Sequence, residues 1–209
     1  MRIFVAGASG VIGLQVVPLL LAAGHTVAGM TRTPEKAERL RALGAEPVVC
    51  DVFDRDALCD AVATHRPDIV LHELTDLPDD PTRILELGAA NSRMRRQGTL
   101  NLLAAAKVAG SPGFLAQSIA WQLPGDAGAA VEEHERAVLE VGGVVIRYGR
   151  LYGAGTYFES ELPPPPRVHV EEAARRTLIA LQTLSGVITV AEEATGSDRA
   201  ALGPVPKLN

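Results

Sequence analysis

The sequence predicts an α/β fold, a doubly wound parallel sheet with helices on both faces, and three observations predict it. Short apolar runs alternate with helical stretches along almost the whole chain. Those runs are continuously apolar, as strands buried on both faces are. The first run ends in a glycine-spaced turn, Gly7-Ala8-Ser9-Gly10-Val11-Ile12-Gly13, which opens a helix.

Arg2-Ile3-Phe4-Val5-Ala6 reads as the first strand, closed by Gly7. Residues 11–23 read as a helix ended by Gly24, and 26–30 return as a strand, which completes one βαβ unit. A helix over 34–43, a strand over 46–49, a helix over 54–64 and a strand over 68–71 continue the alternation. Residues 81–109 read as one long helix or two abutting ones, 113–116 as a fifth strand, 129–141 as a helix and 144–147 as a sixth strand. The four prolines 163–166 read as a stiff polyproline linker, after which 170–184 is a helix and 186–190 a last strand. Residues 1–193 are thus expected to form a single domain, and 194–209, where glycine, proline, serine and charge take over, a flexible tail.

A chain of 209 residues can bury a full core in one domain. Its formal net charge of −5 excludes a nonspecific nucleic-acid binder, and 47% hydrophobic residues with only 4% aromatic describe an Ala/Val/Leu-rich core. The longest apolar stretch, 11–23, is broken by Gln15 and Pro18, is too short for a bilayer, and carries glycines where a signal peptide needs a cleavable apolar run; no membrane association is expected. Cys50 and Cys59 are the only cysteines and form no close pair. That spacing excludes a zinc cluster or a CxxC redox motif, no metal is expected, and a reducing, cytoplasmic location fits.

The glycine turn carries the chemistry. A tight strand-to-helix turn exposes free N–H groups at the positive end of a helix dipole, and glycines let a pyrophosphate approach the backbone. Gly7, Gly10 and Gly13 have the spacing GxxGxxG, and with Ser9, Val11 and Ile12 they form the expected dinucleotide cradle of a Rossmann-like fold. At the end of the second strand, where an acidic residue would favour NAD(H), the chain has Thr31-Arg32-Thr33. The Arg32 guanidinium matches a 2′-phosphate, so NADP(H) is the expected cofactor and NAD(H) the alternative. Asp51 and Val52, past the third strand, suit the adenine amino group and ring; an equal alternative is a carboxylate that caps the turn into the helix at Asp54.

With these residues in place, the chain resembles the extended and atypical branch of the short-chain dehydrogenase/reductase superfamily, the NAD-dependent epimerase/dehydratase-like proteins. The resemblance spans about residues 1–193. It rests on the glycine turn, Pro67-Asp68-Ile69-Val70-Leu71-His72-Glu73-Leu74, Asn91 with Gly98-Thr99-Leu100-Asn101-Leu102-Leu103, Ala116-Gln117-Ser118, Ile146-Arg147-Tyr148-Gly149-Arg150-Leu151-Tyr152-Gly153, and Val168-His169-Val170-Glu171-Glu172-Ala173. It implies that His72, Glu73 and Leu74 line the cofactor and that Ser118 stands where a substrate-orienting serine or threonine belongs. It also implies a Tyr-x-x-x-Lys pair, in which the lysine lowers the tyrosine pKa for proton transfer beside a hydride step. Setting Glu135 against the acidic residue that usually follows that pair puts Ala127 and Val131 at the tyrosine and lysine positions. The resemblance further implies a reduced C-terminal substrate lobe and an open nicotinamide end.

For catalysis this leaves Ser118, Tyr152 past the sixth strand, and His72 at the end of the fourth. His72 is as readily a packed, hydrogen-bonded histidine. His134, between Glu133 and Glu135, and the arginines Arg93, Arg95 and Arg96 read as solvated helix faces. Trp121 either walls a ligand or covers a subunit contact in a homodimer. The expected function is an NAD(P)(H)-binding oxidoreductase-like protein acting on a small-molecule carbonyl or alcohol. Its alternatives are a redox-inactive dinucleotide-binding regulator and a non-redox lyase, isomerase or cyclase reusing the fold.

Overall fold

The computed structural model describes residues 1–78 and 80–193. Seven parallel strands form the central sheet in the order β3-β2-β1-β4-β5-β6-β9: Arg2–Ala6 (β1), Thr26–Thr31 (β2), Glu46–Val49 (β3), Ile69–His72 (β4), Gly113–Ile119 (β5), Val144–Tyr148 (β6) and Gly186–Val190 (β9). A two-stranded parallel sheet, Arg150–Tyr152 (β7) with Arg167–His169 (β8), stands beside it. The helices are Val11–Ala22 (α1), Pro34–Ala42 (α2), Arg55–His65 (α3), Ile84–Arg93 (α4), Thr99–Ala109 (α5), Gly125–Glu140 (α6) and Val170–Ala180 (α7).

Alternate residues of each strand face opposite layers, so two cores form. Ile3 and Val5 join Val16, Leu20, Leu71, Ile146 and Ala173 on one side. Phe4 and Ala6 join Met30, Leu58, Leu102 and Val145 on the other. Strand order reverses at β1, from which β2 lies to one side and β4 to the other. Ligands of open α/β sheets bind in the crevice at the carboxyl ends of the strands at such a point. Every predicted strand and helix is present, with ends shifted by a few residues.

The structure refines one expectation and corrects three. The stretch 81–109 opens with a single 3₁₀ turn, Pro81–Arg83, and joins α4 to α5 through a π-helical turn, Met94–Gly98. That turn carries an extra residue, which rotates Met94, Arg95, Gly98 and Thr99 inward. Arg95 is therefore buried at 5% exposure, while Arg93 lies over the Phe53 ring and Arg96 pairs with Glu133 and Asp126. Helix α6 starts at Gly125, four residues before the expected start. The proline run is no linker: the Pro163, Pro164 and Pro165 carbonyls accept from Arg167 and Arg150, and Arg150 N donates to Pro166 O, which ties the run to the β7–β8 sheet. The expected tail, 194–209, lies outside the described residues. No helix among the described residues is long and apolar enough to cross a membrane.

Candidate functional site

The glycine turn sits at the carboxyl end of β1. Gly7 has φ 92°, a conformation open to glycine, and a Cβ there would stand 2.7 Å from the Glu73 carbonyl. At Gly13 a Cβ would stand 2.3 Å from Gly7 O. These two glycines let the turn close on itself and on β4. Gly10 differs, since a Cβ there would meet only Gly7 O at 3.2 Å, and its open side faces solvent. Gly10 N-caps α1 in an extended conformation with no side-chain cap, and no acidic residue lies in the first turn. A twelve-residue helix thus presents uncapped N–H groups and the positive end of its dipole to the crevice, which suits a pyrophosphate.

Neighbouring strands hold this turn. Ala8 N donates to Met30 O at 3.2 Å and Ser9 Oγ to Thr31 Oγ1 at 3.0 Å, which fastens it to the end of β2. Glu73 N donates to Ala6 O at 2.7 Å, so the chain past β4 lies against Gly7. Leu74 N would be 2.9 Å from a Gly7 Cβ. The structure therefore brings together Gly7, Ser9, Gly10, Gly13, Glu73 and Leu74 at the carboxyl end of β1. Val11, 40% exposed, borders the turn, whereas the Ile12 side chain is buried in the core and leaves only its backbone for a ligand. Arg32 is half exposed just past β2 and donates to Asp76 Oδ1 at 3.2 Å.

Asp51 and Val52 divide. The Asp51 carboxylate accepts from Phe53 N at 2.9 Å and caps its own turn, while Asp54 caps α3 through Ala57 N. Val52 is 1% exposed inside the core, and its carbonyl accepts from Asn101. An adenine wall at Val52 is thereby corrected: the side chain that would form it packs inward.

The ends of β4 and β5, with α5 and α6, hold a buried polar cluster. His72 is buried and its pKa falls well below the usual histidine value, through burial first and then the nearby His134 and Arg95. Leu74 N donates to His72 Nδ1, so the His72 proton sits on Nε2, 3.1 Å from Thr99 Oγ1. Thr99 then donates to His134 Nδ1 at 2.7 Å, and His134 Nε2 donates to Gln117 O at 2.9 Å. A backbone donor at one end and a backbone acceptor at the other fix the direction of every bond between them. His134 is 1% exposed with its pKa lowered to about 4, chiefly by burial. The solvated-face reading of His134 is corrected here, because α6 turns its Ala130, His134 and Val138 side inward.

Ser118 is fully buried, and its hydroxyl donates to Glu135 Oε1 at 2.5 Å. Glu135 also receives Arg147; burial opposes its charge, but the Arg147 and Ser118 hydrogen bonds hold the carboxyl below its usual range. Ser118 is consequently not presented to an open pocket. Glu73 turns its side chain inward to the Tyr148 hydroxyl at 3.1 Å, and Tyr148 meets Thr177 at 2.5 Å. Burial pushes the Glu73 carboxyl up to about 8, against the lowering hydrogen bond from Tyr148. Tyr152 lies apart in the β7–β8 sheet, edge-on to His169 and bonded to Glu192, which raises its pKa. It borders a cleft of about 260 Å³ with Gly153, Glu159, Ser160, Glu161, Leu162 and His169. Trp121 packs under the Arg150 guanidinium, 4.6 Å from its ring centre.

Sequence reading missed Thr99, His134, Glu135 and Arg147 as one cluster, and missed Asp76. The i, i+4, i+8 spacing of Ala130, His134 and Val138 was the available signal for His134.

The profile of the NAD dependent epimerase/dehydratase family matches residues 3–122. A 3-diazoavenalumate denitrifying reductase from a Streptomyces species is 39% identical over 183 residues, covering 75% of this chain and 58% of that protein. A 4-hydroxy-2-methyl-3-oxo-4-farnesyl-3,4-dihydroquinoline-1-oxide ketoreductase from Stigmatella aurantiaca is 36% identical over 63 residues, 30% of this chain and 19% of that one. Among solved structures, the UDP-glucose 4-epimerase of Thermus thermophilus, in complex with NAD, superposes with a TM-score of 0.74 at 21% identity, covering 91% of this chain and 78% of the other. WbmG of Bordetella bronchiseptica, also with NAD, gives 0.71 at 19% identity, covering 99% and 79%. The structures share the fold. The chain spans little more than half the length of the reductase. By its profile match over more than half its length and by its sheet order, the chain belongs to the NAD dependent epimerase/dehydratase family of short-chain dehydrogenase/reductase-type proteins.

Proposed function

We propose that this chain binds a nicotinamide dinucleotide over residues 7–13, NADP(H) in preference to NAD(H), and acts as a reductase on a small-molecule acceptor that takes up hydride without a proton from the protein. The observation that carries the reading is the uncapped N-terminus of α1 behind an open Gly10, with Arg32 at the adjoining strand end. The bound dinucleotide supplies hydride. The chain's own residues supply position: the uncapped amides of α1 hold the pyrophosphate, Arg32 meets the 2′-phosphate, and Leu74 packs beside Gly7. Asp51 faces the adenine side of the crevice in this reading.

The acceptor class follows from what the other end lacks. Ala127 and Val131 carry no exchangeable proton, the Ser118 hydroxyl is given to Glu135, and His72 is locked between Leu74 N and Thr99. A neutral ketone needs an acid as its oxyanion develops, whereas an electron-poor, already activated acceptor does not. The denitrifying reductase relative supports a reductive role of this kind. Tyr152, with its raised pKa, binds or orients a substrate at the β7–β8 cleft rather than ionising there. Two free thiols, Cys50 and Cys59, accord with a cytoplasmic protein.

Calorimetric titration with NADPH and NADH tests the first half, and loss of NADPH absorbance against aldehydes, ketones and aryl diazonium salts tests the second. Micromolar binding with turnover only on the activated acceptors is expected. Failure of both dinucleotides to bind overturns the cradle. Binding with no turnover on any acceptor overturns the reductase and leaves a dinucleotide-holding regulator.

A further inference from the structure

Arg32 does not stand alone at the ribose end. It follows β2, while Asp76 lies four residues past the end of β4, and β2 and β4 are the two neighbours of β1 in the sheet. The Arg32–Asp76 pair, 3.2 Å between Nη2 and Oδ1, therefore joins the segments that leave the strands on either side of β1. Asp76 is placed from a third element: its own N–H donates to Asn91 Oδ1 on α4 at 3.0 Å. The Arg32 side chain is 50% exposed and that of Asp76 28%, so the guanidinium keeps an open side, while the Asn91 hydrogen bond fixes the Asp76 backbone and the carboxylate meets Arg32.

We infer that Asp76 is a specificity-determining residue, which sets how strongly this site prefers a 2′-phosphorylated dinucleotide by occupying Arg32 and by opposing the incoming phosphate. The inference rests on the dinucleotide reading above and deepens it. A 2′-phosphate reaching Arg32 brings a second anion to a cation already neutralised by Asp76. Its binding is weakened by the loss or sharing of that pair and by repulsion from the nearby Asp76 carboxylate. A ribose with a free 2′-hydroxyl meets neither cost. Asp76 thus narrows the gap between NADP(H) and NAD(H), and a chain with Arg32 alone discriminates more.

The test measures dissociation constants by calorimetry for NADPH and NADH, and for adenosine 2′,5′-bisphosphate and 5′-AMP, which report on this end alone. Asp76→Asn keeps the side-chain volume and removes the charge. It is expected to tighten NADPH and the bisphosphate by on the order of threefold to tenfold, to leave NADH and 5′-AMP within about twofold, and to steepen the salt dependence of NADPH binding. Arg32→Gln is expected to weaken NADPH by about tenfold, and in the Arg32→Gln/Asp76→Asn double variant the gain from Asp76→Asn disappears. An unchanged NADPH-to-NADH ratio in Asp76→Asn, or weaker NADPH binding, overturns the inference while the dinucleotide reading stands. Wild-type protein that binds neither dinucleotide overturns both.

Discussion

Two parts of the sheet edge are built on opposite principles. At the phosphate end, polar groups are left open: α1 has no side-chain cap, Gly10 offers no Cβ, and Arg32 has a free side. In the cluster between β4, β5, α5 and α6 they are turned on one another: His72, Thr99, His134, Ser118, Glu135 and Arg147 bond to each other or to the backbone. Buried polar groups without partners are costly, and these side chains meet their needs among themselves, while the buried Arg95 beside them keeps one nitrogen, Nη1, without a hydrogen-bond partner. One part of the sheet edge leaves its donors open; the other turns them inward.

The largest effect is expected from Gly13→Val. Its Cβ would stand 2.3 Å from Gly7 O, a backbone atom that cannot step aside, so the turn opens and NADPH binding falls by roughly a hundredfold or more in calorimetry. Retained affinity in a folded Gly13→Val protein would separate the turn from ligand binding. Thr99→Val strikes the buried cluster, leaving the His72 Nε2–H and the His134 Nδ1 unpaired. A loss of about 2–4 kcal/mol in denaturant unfolding is expected, with Thr99→Ser recovering most of it; equal losses for the two variants would show that packing, not the hydroxyl, matters.

Stability against pH sharpens the comparison next. His134 titrates at about 4 in the folded protein and His72 well below the histidine value, so their contribution is complete above an unfolded pKa of about 6.5 and is lost as pH falls toward 4. Glu73 runs the other way. Its folded pKa of about 8 exceeds the unfolded carboxyl value, so the folded state holds the extra proton and loses stability as pH rises through 8. In the window between, two histidine protons outweigh one glutamate proton below about pH 6.5, and the glutamate alone acts above it. Stability should peak near pH 6.5 and fall by about 2 kcal/mol toward pH 8. Glu73→Gln, which still accepts from Tyr148, should flatten the alkaline limb; a slope that persists assigns it to another group. The smallest effect is expected from Asp51→Asn, within about 0.5 kcal/mol in stability and about twofold in NADPH affinity, since its oxygen goes on accepting from Phe53 N. A larger loss of affinity would assign the carboxylate to the adenine.

The parallel sheet and the glycine turn that opens α1 were legible because each rests on local signals: apolar runs of strand length, and Gly7 and Gly13 at close approaches. The strands β7 and β8, three residues each, show no period to read. Arg95 was illegible for a different reason, since the π turn at Met94–Gly98 changes which side of the helix is inward and leaves no compositional trace. His134 was hidden by its neighbours, as Glu133 and Glu135 mark the stretch as charged although one of them, Glu135, is itself buried against Ser118 and Arg147.

The chain of bonds from Leu74 N through His72, Thr99 and His134 to Gln117 O has a consequence for proton conduction. A wire that carries protons resets by reversing each bond, which needs terminal groups able both to give and to take a proton. This one begins on an amide N–H that only gives and ends on an amide oxygen that only takes, with both imidazoles neutral. It conducts nothing in either direction. Two histidines and a threonine joined this way form a chain of bonds with one fixed direction, not a path for protons.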